Sequence, residues 1–243
     1  MEMNQETLER MRQMRLLGMY NAFKTSLEAF RTDGMTTDQF ISWLVCNEWD
    51  DRRNRLIERL IRQASFRYKS SVEEINFNVE RGLDRNQFQR LGELTFVREH
   101  KDLFITGSTG TGKSYLATSL GYEACQKGMK VLYASTNRLM GQLKIAKAKG
   151  NILQELKKIE RMDLLILDDF GMQPFDAQSR MNLMDVIEDR YGKKSTIITS
   201  QIPVKDWYDV IGDKTIADAI MDRVVHQAIR IELFGESLRK GRN

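Results

Sequence analysis

The chain is short of proline and cysteine and has no long apolar run. Only 2 prolines occur in 243 residues, which fits a globular protein rich in helix, because proline interrupts helix interiors. Its two cysteines, Cys46 and Cys125, lie far apart with no CxxC spacing. They read as small core residues in a reducing compartment rather than as a disulfide or a metal site. No stretch approaches the roughly 18 apolar residues that a membrane-spanning helix needs. The opening MEMNQETLERMRQ carries charges where a signal peptide requires an apolar segment. A cytoplasmic protein with no membrane partner is therefore expected. A net charge of +4 permits nucleic-acid contact without requiring it, so the placement of charge has to decide.

What the chain does contain changes character part-way along. From residue 5 to about 70, apolar residues such as Leu8, Met11, Met14 and Leu17 recur at helical intervals, with a break at Gly34 and a new helix start at Thr36 or Thr37. Residues 70 to 100 read as a connector. Beyond it, DLFITG, LYAST, LLILDD and STIITSQ are short β-branched or apolar runs separated by helix-length segments, the pattern of parallel-sheet crossovers. The spacing predicts an all-helical N-terminal domain over 1–75 and an open α/β domain over 76–243, with helices flanking a parallel sheet.

The most specific motif is GSTGTGKS, residues 107 to 114, which satisfies G-x-x-x-x-G-K-[ST] between a predicted strand and a predicted helix. Gly107, Gly110 and Gly112 free the backbone to wrap a phosphate, so that amides of the cradle from Ser108, Thr109 and Thr111 onward to Tyr115 face the anion. Lys113 reaches the β- and γ-phosphates of ATP, and Ser114 is a Mg²⁺ ligand. The run LLILDDFG then places Asp168 and Asp169 at the end of an apolar strand. Two adjacent buried carboxylates repel unless a cation is present. Asp168 is accordingly the second metal residue and Asp169 the group that orients the attacking water. The strand STIITSQ ends in Thr199, Ser200 and Gln201, of which Ser200 is taken as the catalytic contact to the γ-phosphate or the water. Arg223 lies far along the chain, free to pair on its own surface or to reach a neighbour's ATP.

Basic residues concentrate in two stretches. From Arg52 to Lys69 seven bases accompany one acid, Glu58, with Arg52, Arg55 and Arg59 on one helical face. From Asn137 to Lys158, Lys144, Lys147 and Lys149 belong to a set of six bases against Glu155. Neither stretch carries interleaved aromatics, so contact with the phosphates of duplex DNA is expected rather than base readout.

The sequence resembles the IstB-like transposition helper ATPases of the AAA+ class, relatives of DnaC-type helicase loaders. The resemblance rests on GSTGTGKS, LLILDDFG, TSQ, ADAIMDRVVH and IELFGESLRK, in that order, and extends over the helical N-terminal portion. It implies an AAA+ P-loop NTPase that binds ATP and Mg²⁺ and forms homo-oligomeric rings or helical filaments on duplex DNA. It also implies a partner transposase encoded by the same mobile element. By the same resemblance Arg223 is an arginine finger acting in trans and Arg239 contacts ATP in cis, with little or no C-terminal lid. A helicase loader that binds single-stranded DNA and a hexameric helicase is the alternative. A small-molecule kinase is a weaker one, since about a hundred residues precede the phosphate loop.

Overall fold

A computed structural model describes residues 2–29, 34–225 and 228–238. The chain divides into two compact units, Met1–Arg59 and Leu60–Asn243.

The first unit is helical, with α1 (Glu2–Gln13), α2 (Leu17–Ala29) and most of α3 (Thr37–Ala64), which continues into the second unit. Thr36 starts α3 through a reciprocal cap: its amide donates to Gln39 Oε1 and its hydroxyl accepts from the Gln39 amide. Glu48 on α3 accepts from the amides of Gly18 and Met19 and so closes the open N-terminus of α2. Cys46 is exposed on α3, whereas Cys125 is buried. The expected burial of both cysteines is thus corrected for Cys46, which lies outside the stripe of α3 that packs inward.

The second unit begins at Leu60, and Leu60, Ala64 and Ile75 pack into its core. After a linker come α4 (Arg85–Gly92), capped by Asp84, and α5 (Thr95–Arg98). The α/β part then runs β1 (Leu103–Gly107), α6 (Lys113–Gln126), β2 (Val131–Ser135), α7 (Thr136–Ala148), α8 (Ile152–Glu160), β3 (Leu164–Phe170), α9 (Ala177–Arg190) and β4 (Ser195–Ser200). A 3₁₀ turn at Val204–Asp206 leads to α10 (Trp207–Ile211), α11 (Lys214–Val225) and β5 (Ile229–Leu233). Among the described residues these strands form one sheet in the order β2-β3-β4-β1-β5, with every pairing parallel.

Both faces of the sheet are covered, which is why its strands read as unbroken apolar runs. Leu103, Ile105, Leu164 and Ile166 join one core with α6, α4 and the end of α3. Their alternates Phe104, Leu165 and Leu167 join a second core with α7, α9, α10 and α11. This order puts the carboxyl ends of β3, β4 and β1 side by side, and in open parallel sheets ligands bind at that edge.

Candidate nucleotide site

The loop after β1 and the first turn of α6 form an anion cradle. Gly112, the N-cap of α6, has φ 96°, a left-handed value that glycine adopts without strain. Gly107 lies so close to the backbone of Leu233 on β5 that a Cβ would collide with it. Lys113 Nζ donates to the carbonyl oxygens of Gly107 and Ser108, each at 2.8 Å, which bends the side chain back over the loop. Thr109 Oγ1 donates to Gln201 Oε1 at 2.7 Å, tying the loop to the end of β4. Thr111 Oγ1 donates to Ser108 O, an internal brace of the cradle. Tyr115 OH donates to Glu74 Oε2, and its ring lies 6.1 Å from that of Tyr68.

Asp168 is 1% exposed at the tip of β3. Its carboxylate accepts from Ser114 Oγ at 2.7 Å, from Thr199 Oγ1 and from Tyr133 OH. Burial and then the adjacent Asp168 carboxylate push the Tyr133 phenol well above its ordinary range, so it remains a donor. Among the described residues no lysine or arginine forms an ion pair with Asp168, and no cluster of three or more His, Cys, Asp or Glu could cage a metal ion. A hydroxyl beside a carboxylate suits Mg²⁺, which takes few protein ligands and completes its shell with phosphate oxygens and water.

Asp169 does not continue the strand. Its φ of 56° is left-handed, and the β3–β4 register shifts between Leu167 and Phe170, so one extra residue bulges from β3. The Asp169 amide donates to Thr199 Oγ1 at 3.1 Å. The two acids therefore diverge in environment: Asp168 is enclosed by hydroxyls, while Asp169 is half-buried at a bulge.

The family model described as IstB-like ATP binding protein matches residues 9–243. The chain belongs to this family. It is 40% identical to the insertion sequence ATP-binding protein y4pL of Sinorhizobium fredii, over 96% of each chain. It is 31% identical to the insertion sequence IS21 ATP-binding protein of Pseudomonas aeruginosa, over 83% of this chain and 76% of that one. Among solved structures, DnaI superposes with TM-score 0.58 at 23% identity, covering 72% of this chain and 93% of that one. AMPPCP-bound DnaA from Aquifex aeolicus gives TM-score 0.57 at 22% identity, covering 70% and 51%. These likenesses show that the α/β fold is shared with DnaI and DnaA.

Other predicted site residues of this IstB-like chain are placed less simply. Ser200 is fully buried, donating to Phe170 O at 2.8 Å and accepting from the Ile202 amide at 3.0 Å. Its hydroxyl braces the bulge, while its neighbours Thr199 and Gln201 face Asp168 and the phosphate loop. Arg223 on α11 pairs with Glu188 on α9 and donates to Ala219 O. Arg239 lies outside the described residues. No helix of the described residues is long and apolar enough to cross a membrane.

The basic candidates are partly neutralised by acids that the stretch-by-stretch count left out. Arg52 pairs with Glu48 at 2.6 Å and Arg55 with Asp51 at 2.6 Å, one turn earlier on α3, while Arg59 is exposed. Lys144 pairs with Asp176, the N-cap of α9, and Lys147 Nζ donates to Gln178 Oε1. Lys149, at the end of α7, lines a cavity of about 980 Å³ together with Arg67, Arg138 and Lys158. Sequence reading missed Arg67 at this cavity, Tyr133 on Asp168 and Glu188 on Arg223. Of these, Arg67 carried a signal as one of the bases between Arg52 and Lys69, and Tyr133 as a polar-tipped aromatic within a strand run.

Proposed function

We propose that this IstB-like protein hydrolyses ATP to control its own assembly on duplex DNA, and that the assembly presents the DNA to a transposase of the same insertion sequence. The reading is carried by the Ser114–Asp168 hydrogen bond beneath the phosphate loop, in a chain whose curated relatives are insertion-sequence ATP-binding proteins. In this reading the amides from Ser108 to Tyr115 hold the phosphates, and Lys113 leaves its own loop carbonyls to meet the β- and γ-oxygens. Ser114 and Asp168 hold Mg²⁺, which supplies charge neutralisation at the γ-phosphate. Asp169 aligns the water, and Arg223 of an adjacent copy completes the charge stabilisation.

Lys144, Lys147 and Lys149 on α7, and Arg52, Arg55 and Arg59 on α3, contact DNA phosphates. The acidic partners of Arg52, Arg55 and Lys144 then act as competitors that DNA must displace, which favours weak, salt-sensitive, sequence-independent binding.

The deciding experiment is electron microscopy of the protein with ATP and long duplex DNA, beside a pull-down with a hexameric helicase. Ordered multimers on duplex are the expected outcome. Their absence together with a stable helicase complex rejects this reading in favour of a loader.

A further inference from the structure

Arg81 sits in the linker before α4, outside every motif, yet it is only 5% exposed. Its Nη1 donates to Thr111 O at 3.1 Å and its Nη2 to Asn76 O at 3.2 Å. Its Nε is buried without a hydrogen-bond partner, and among the described residues no carboxylate forms an ion pair with it. The guanidinium lies against the phosphate loop itself: a Cβ on Gly112 would come within 2.6 Å of Nη1. The backbone of Arg81 is held as well, because its carbonyl accepts from the Phe234 amide just beyond β5.

A buried cation with only neutral acceptors is costly. The missing counter-charge has one evident source. The loop that Arg81 touches is the anion cradle of the molecule, and bound polyphosphate brings several negative charges to its other side.

We propose that Arg81 is a nucleotide-affinity residue: it holds the Thr111–Gly112 backbone and supplies a fixed positive charge to the polyphosphate bound in the loop. The charge acts across one layer of backbone, so Arg81 positions and attracts without taking part in hydrolysis. Burial already disfavours its charged form, and an anion in the loop offsets that penalty. Nucleotide binding and the ordering of the 76–84 linker are thereby coupled.

The inference rests on the phosphate loop binding ATP, and the two can fail separately. Calorimetric titration of the full chain with ATP and with ADP is compared for the wild type, Lys113→Ala, Arg81→Met and Arg81→Lys, alongside melting of each nucleotide-free protein. Arg81→Met is expected to raise both dissociation constants at least about tenfold, with the nucleotide-free melting temperature unchanged or higher. Arg81→Lys, which keeps the charge, recovers part of the affinity. If wild type and Lys113→Ala both fail to bind ATP, the ATP reading of the loop fails. If the wild type binds but Arg81→Met binds equally well, or Arg81→Lys is as weak as Arg81→Met, the role of the Arg81 charge is overturned. A nucleotide-free melting temperature that falls in step with affinity assigns Arg81 to structure instead; Arg81→Gln, which keeps hydrogen-bond donors, serves if the methionine variant does not fold.

Discussion

The hydroxyl of Ser114 donates to Oδ1 of Asp168 at 2.7 Å, joining the first turn of α6 to the tip of β3 across 54 residues of sequence. Two oxygen donors of different charge are thus preset at one point below the phosphate loop. Replacing Asp168 by Asn keeps the shape and removes the charge that holds a divalent cation. Asp168→Asn is expected to abolish the Mg²⁺-dependent part of ATP affinity while Mg²⁺-free nucleotide binding survives, as measured by titration with and without EDTA. Equal Mg²⁺ dependence in the variant and the wild type would remove Asp168 from the metal site.

Asp169 combines a left-handed φ of 56° with a position at the bulge of β3. Asn tolerates that conformation, so Asp169→Asn tests the carboxylate without straining the backbone. Hydrolysis by the assembled protein should fall roughly 100-fold or more, the usual scale for losing a general base, with ATP affinity retained. Asp169→Val should instead destabilise the fold by about 1–2 kcal/mol, because a β-branched residue resists the left-handed region. Normal turnover by Asp169→Asn would show that another group orients the water.

Arg223 is held on its own subunit by Glu188, and a role in trans requires that pair to open. Arg223→Ala should therefore eliminate the hydrolysis that rises with protein concentration and leave ATP binding by dilute protein intact. Glu188→Gln frees the arginine and is expected to shift the rise in specific activity to lower protein concentration. A matching loss of ATP binding in dilute Arg223→Ala would place the residue in cis.

The lysines of α7 can be tested through salt. Combined substitution of Lys144, Lys147 and Lys149 by Ala should weaken duplex binding and reduce the slope of log affinity against log salt by up to about 2–3, near 0.9 for each DNA phosphate no longer neutralised. Asp176→Asn, which releases Lys144, should act in the opposite direction at low salt. Filter binding from low to moderate salt measures both, and an unchanged slope in the triple variant would exclude this helix from the DNA interface.

Asp102, just before β1, supplies a pH test of the sheet. Burial raises its pKa from 3.8 to about 6, against the opposing effects of the Thr196 amide and Arg190. The folded protein therefore holds this proton more tightly than the unfolded chain, and stability declines as pH rises from about 4 to about 6. Asp102→Asn can still accept from the Thr196 amide and removes the titration, so its advantage over wild type should grow through that window to about 3 kcal/mol. Melting curves across the window check this, and a constant difference between the two proteins contradicts it.

Local sequence determined a good deal of this protein. The phosphate loop was legible because cradling an anion needs glycines, a lysine and a hydroxyl at fixed spacing, and such spacing survives without any tertiary information. The sheet strands were legible because burial on both faces demands continuous apolar runs. The run LLILDD also marked Asp168, since an acid closing such a run needs a cation or a set of donors.

Only the tertiary structure decided which donors those are. Tyr133 and Thr199 reach Asp168 from the neighbouring strands β2 and β4, and strand order is not written in any local pattern. The same holds for the bulge that turns Asp169 away from the ladder and recruits Ser200 to brace it. Charge divides the same way: Glu48 and Asp51 lie one turn before Arg52 and Arg55 on α3, within reach of spacing alone, whereas Asp176 meets Lys144 only once the chain is folded. Sequence spacing specifies neighbours within one turn or one loop, whereas pairings across 30 residues or more depend on how the strands are shuffled. Arg81, an ordinary linker residue by pattern, became a buried cation on the phosphate loop for that reason.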